Sequence, residues 1–187
     1  MTMDLVEIAR WLNRSRLSAA PCPWLAAISV FVDEQYENYD YDVIGPRARK
    51  RIREVLAEHD YRQISGRIFE GPQGRIEFPR PTRSLASDPA AELEGVVERA
   101  AGAVFTTPTQ VLLATWRREG PRLSPARLQD LVALVHEQPA NLDKVRDWLR
   151  RTDCRADFQG LRPRLQAAQE EGFQLRRRGE FRSRLPR

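Results

Sequence analysis

Asn38-Tyr39-Asp40-Tyr41-Asp42-Val43-Ile44 places two carboxylates one residue apart inside an aromatic and β-branched run. A strand alternates its side chains, so Asp40 and Asp42 are expected on one face and Tyr39, Tyr41 and Val43 on the other. Neighbouring carboxylates repel each other until a divalent cation, a shared proton or a basic partner compensates. The pair is therefore a candidate Mg²⁺ site of the kind that holds nucleotide phosphates. The same Asp-x-Asp pattern also occurs on ordinary solvent-facing edge strands, and so short a motif recurs by chance.

On the N-terminal side, Asp4-x-x-Glu7 resembles a capping box and opens an expected helix with Leu5, Ile8, Ala9 and Leu12 on one face, ending near Ser18 where Ala19-Ala20-Pro21-Cys22-Pro23 cannot continue it. Trp24 to Val32 follows, with Ile28, Val30 and Val32 alternating as in a buried strand. On the C-terminal side, Gly45-Pro46 puts proline at a helix N1 position, and Ile52, Val55 and Leu56 form a stripe among Arg47, Arg49, Lys50, Arg51 and Arg53. Tyr61 to Phe69 suits one strand. Gly71-Pro72-Gln73-Gly74 reads as a hairpin turn into Arg75-Ile76-Glu77-Phe78, which makes Glu77 a third strand-borne carboxylate.

Asp88-Pro89 is expected to cap a short helix with Leu93, Val96 and Val97, and Val104-Phe105-Thr106 to form a last strand. The pattern then becomes helical. Thr107-Pro108-Thr109-Gln110 is a capping box with proline at N1, Ser124-Pro125 and Asn141 open two further helices, and a fourth is expected over about 163–171, stopped by Gly172. Short links between such helices predict a bundle.

The chain has 187 residues, long enough for one domain or two small ones around a sizeable core. No apolar run approaches a membrane span and the N-terminus does not read as a signal peptide, so a cytoplasmic protein is expected. Cys22, Cys154, His59 and His136 have no zinc-ligand spacing and offer no nucleophile with a recognisable base. The formal net charge of +5 is matched by residues 176–187 alone, where Arg176, Arg177, Arg178, Arg182, Arg184 and Arg187 stand against Glu180. Such a segment either contacts RNA or DNA phosphates or is a flexible, solvated terminus.

The order helix, strand, Asp40-x-Asp42, helix, hairpin with Ile76-Glu77-Phe78-Pro79, then Thr107-Pro108-Thr109 opening helices resembles the nucleotidyltransferase-like proteins of bacterial toxin-antitoxin and abortive-infection systems. The resemblance covers about residues 24–158. It implies an α/β (α+β) fold, with a mixed sheet flanked by helices over 1–106, a helical domain over 107–175 and a basic tail over 176–187. It also implies that Ser29, eleven residues before Asp40, stands where that family grips nucleotide phosphates, and that Asp40, Asp42 and Glu77 hold Mg²⁺ for transfer from a nucleoside triphosphate. Ile28 stands where the family has glycine before the serine, and Leu113, Ala114 and Thr115 where relatives carry Lys, Asp and Arg. The expected function is therefore that of a degenerate member acting through a protein partner encoded nearby or through nucleic acid, with an active Mg²⁺-dependent transferase as the alternative.

Overall fold

The computed structural model describes residues 17–22, 27–32, 46–66, 68–77, 103–151 and 158–182. Asp40 and Asp42, the helix expected after Asp4 and the one expected after Asp88 lie outside them. The β-branched alternation at Ile28, Val30 and Val32 falls in strand β2 (Ala27–Val32), the partner of β1 (Leu17–Cys22). The remaining strands are β3 (Arg62–Ser65), β4 (Ile68–Gly71), β5 (Gly74–Glu77) and β6 (Ala103–Thr106), in one mixed sheet ordered β1-β2-β6-β5-β4-β3. The centre is parallel, β2 to β6 to β5, and the outer pairs are antiparallel. The architecture is α+β, as the mixture of patterns predicts. Strand β1 was not expected, because Pro21 reads as a breaker. At the sheet's edge a proline is tolerated, since a missing N–H on the outer side removes no ladder bond.

Helix α1 (Pro46–Ala57) buries the expected stripe of Ile52, Val55 and Leu56. It ends in a turn with Asp60 at φ 62°, where the Tyr61 amide donates to the Leu56 carbonyl at 2.9 Å. Asp tolerates this left-handed conformation better than most side chains do, so the turn forms without glycine. The single strand expected over Tyr61 to Phe69 is instead two strands, β3 and β4, which pair antiparallel with Ser65 opposite Ile68. The second hairpin matches its reading. Gly71 pairs with Gly74 across Pro72-Gln73, and Gly74 has φ 114°, a conformation suited to glycine.

The C-terminal half is helical: α2 (Pro108–Glu119), α3 (Pro125–Glu137), α4 (Leu142–Arg151) and α5 (Phe158–Arg177). Each of the first three begins where its cap residue predicts. Thr107 Oγ1 accepts from the Gln110 amide at 3.3 Å while Gln110 Oε1 accepts from the Thr107 amide at 3.0 Å. Ser124 Oγ accepts from the Arg127 amide at 3.2 Å, and Asn141 Oδ1 from the Lys144 amide at 2.9 Å. Each such cap contributes about 1 kcal/mol.

The helices meet through identifiable pairs. Arg127 of α3 bonds Glu119 of α2 at 3.1 Å, Arg162 of α5 bonds Asp143 of α4 at 2.7 Å, and the Asn141 amide donates to Thr109 Oγ1 at 2.7 Å. Leu112, Leu113, Trp116, Leu131, Leu134, Val145, Trp148, Phe158 and Leu165 form much of one buried core. Val104 of β6 belongs to it too, and Thr106 Oγ1 donates to Gln110 Oε1 at 2.6 Å. The expected domain boundary at 106/107 thus runs through a shared core.

Helix α5 departs most from expectation. It runs from Phe158 to Arg177 through Pro163, which was expected to open it, and through Gly172, which was expected to end it. Proline removes one helical hydrogen bond. Phe158 and Leu161 are nevertheless buried upstream of it, with the Phe158 ring 5.4 Å from Trp116 in an edge-to-face contact, so packing holds the extra turn in place.

Candidate functional site

Three parallel strands finish at one edge of the sheet, β2 with Val32, β6 with Thr106 and β5 with Glu77. Ligands of open α/β sheets sit at such carboxyl edges. Glu77 pairs in register with Val104, and its side chain is 14% exposed. Arg75, two residues earlier on the same face, donates to Glu77 Oε2 at 3.3 Å. A guanidinium in that position offsets the negative charge that would attract a divalent cation. Among the described residues no group of three or more His, Cys, Asp or Glu is placed to hold a metal ion. Of the three acids read as Mg²⁺ ligands, Glu77 is described and Asp40 and Asp42 are not.

Ser29 lies inside β2, in register with Thr106 and Ala20, and the strand continues to Val32. The resemblance implies a helix start there. A strand commits its amides to the ladder, whereas a helix N-terminus leaves them aimed at an anion. The Pro108-Thr109 motif is structural in this molecule: Thr109 is buried and its hydroxyl takes the Asn141 amide. Leu113, Ala114 and Thr115 are buried as well, the first two within the helical core. Charged residues at those positions would be buried in this packing, at a desolvation cost that apolar or small side chains avoid.

The basic segment is not a free tail over the part described. Helix α5 ends in a Schellman turn: the Gly179 amide donates to the Arg176 carbonyl at 3.0 Å, the Glu180 amide to the Leu175 carbonyl at 2.9 Å, and Gly179 has φ 72°. The turn sends Phe181 back onto α3, where its ring stacks on buried His136 with centroids 5.3 Å apart. Arg176 covers the Phe181 ring at 4.0 Å and donates to the Glu137 carbonyl. Arg177, Arg178 and Arg182 are exposed on the same turn, beside the single acid Glu180.

Comparison with known proteins gives no match: no protein family, no curated protein and no solved structure aligns with the chain. Geometry alone then assigns chemistry. Of the arginines read as nucleic-acid ligands, Arg177, Arg178 and Arg182 are exposed at the end of α5 and just beyond it, Arg176 covers the Phe181 ring and Arg184 lies outside the described residues. Sequence reasoning missed Phe181 as the anchor of this turn. The signal was Gly179, the C′ glycine that turns the chain back, which was overlooked in favour of Gly172.

Proposed function

We propose that the protein is a non-catalytic member of the nucleotidyltransferase-like kind found in bacterial toxin-antitoxin or defence systems, acting in the cytoplasm. It works by holding nucleic-acid phosphates on its C-terminal turn, beside a protein partner encoded nearby. The observation that carries this reading is the set of exposed arginines, Arg177, Arg178 and Arg182, on a turn pinned to α3 through Phe181 and Arg176. An ordered turn loses less freedom on binding than a flexible tail does, so more of each arginine–phosphate attraction appears as affinity. The strand conformation at Ser29 and the burial of Leu113, Ala114 and Thr115 support binding over transfer.

The test replaces charge and leaves the anchors in place. The triple variant Arg177→Gln/Arg178→Gln/Arg182→Gln is expected to bind a mixed-sequence oligonucleotide at least tenfold more weakly in moderate salt. The slope of log K against log salt should fall by about two to three, one increment for each lost contact. Equal affinity and slope for variant and wild type would end this proposal.

The position of Glu77 at the carboxyl edge favours a second reading, an active Mg²⁺-dependent nucleotidyltransferase using Asp40, Asp42 and Glu77. Calorimetry of the wild type and of Asp40→Asn/Asp42→Asn with a nucleoside triphosphate and Mg²⁺ separates the two. No heat that depends on the acids is expected. Binding abolished in the double variant would establish the second reading.

A further inference from the structure

We infer that helix α1 is a second contact for the polynucleotide and holds its phosphate backbone without regard to base sequence, an inference that rests on nucleic-acid binding as proposed above but not on the turn that carries it there. Between Pro46 and Ala57 the helix has Arg47, Arg49, Lys50, Arg51 and Arg53 against the single acid Glu54, so its formal charge is five minus one, or +4. Arg47 and Arg51, like Arg49 and Arg53, stand four residues apart, which puts like-charged positions on adjacent turns, an arrangement that costs stability until an anion offsets it. Lys50 and Arg53 are exposed, on the side of the helix away from buried Ile52, Val55 and Leu56. Glu54 answers Lys50 at 4.0 Å, but both side chains are exposed, where such a pair is weak.

The burial of the apolar stripe decides the class of partner. A basic amphipathic helix that meets a bilayer, or a groove in a partner protein, does so through its apolar face. In α1 that face is taken by the fold, with Ile52, Val55 and Leu56 at most 1% exposed, and Lys50, Arg53 and Glu54 are left outward. Contact by charge alone suits a regular polyanion. Four of the five cations are arginine, whose planar fork matches phosphate oxygens, and the helix has no aromatic residue on which a base could stack. It therefore engages backbone only. A duplex presents phosphates at higher density than a single strand and is the probe that tests this.

The experiment titrates the full chain, by fluorescence anisotropy over a range of salt, into two duplexes of equal length and unrelated sequence, each prepared as DNA and as RNA. Lys50→Gln/Arg53→Gln is expected to weaken binding of both sequences alike, by about tenfold, and to lower the slope of log K against log salt by about two. Glu54→Gln should tighten binding, which a purely structural role for the helix would not produce; melting curves confirm that both variants fold. Unchanged affinity and slope in the α1 variant, with the triple glutamine variant of the turn weakened, overturns this inference and leaves the turn's role standing. The reverse pattern overturns the role of the turn and keeps that of α1. Poly-glutamate bound as tightly as the duplexes overturns nucleic acid as the partner of α1 in favour of an acidic protein. Failure of every duplex to bind overturns both readings.

Discussion

At the scale of the residue, Gly172 shows how one position can be read correctly as special and wrongly as to why. A glycine late in a helical pattern reads as a stop signal, yet α5 continues through it and Gly172 is buried against α3. A Cβ there would collide with the His136 carbonyl oxygen, a backbone atom that has no rotamer to retreat into. Glycine is therefore required for close approach of two helices. Gly172→Ala brings two opposed effects: a gain in helix propensity of up to about 1 kcal/mol, and an overpacking cost of about 1–3 kcal/mol or more. The collision involves backbone on both sides, so the cost wins. The variant is expected to melt several degrees below the wild type, at about 2–4 °C per kcal/mol for a chain of this size. An unchanged or raised melting temperature would show that α3 and α5 separate freely at this point. Gly71 is a similar case, where a Cβ would stand 2.6 Å from atoms of the Tyr61 ring.

At the scale of the element, what was legible followed local chemistry. Thr107, Ser124 and Asn141 mark helix starts because a side-chain oxygen within three residues satisfies an amide left open by the helix, a relation contained in the sequence itself. The hairpin at Gly71–Gly74 was legible for the same reason, as was the buried stripe of α1. Elements decided by distant partners were misread. Pro21 is compatible with a strand because β1 is the outer member of the sheet, and Pro163 is compatible with a helix because Phe158 packs on Trp116. Neither fact is local. The segment that holds Ser29 was legible as a strand from the alternation of Ile28, Val30 and Val32, whereas its eleven-residue spacing from Asp40 carries no information on conformation.

At the scale of the whole molecule, sheet and bundle share Val104 in one core, and the C-terminal turn packs on α3 through Phe181 and His136. On the proposed reading the turn serves stability and binding at once, and the two are separable. Removing residues 176–187 deletes the Phe181–His136 stack, the Arg176 cover and the Arg176 bond to the Glu137 carbonyl, each of which contributes on the order of 0.5–1.5 kcal/mol. The truncated chain is expected to lose about 2–3 kcal/mol of stability and to melt about 4–12 °C lower. A flexible terminus would leave the melting temperature where it was. The triple glutamine variant keeps every one of those contacts, so its melting curve should superimpose on that of the wild type while its affinity for polyanions falls. Differential scanning calorimetry of the two proteins side by side distinguishes a structural latch that carries charge from a charged tail that carries no structure. Should truncation prove thermally silent, the ordered turn loses its basis and the arginines act as a free polycation.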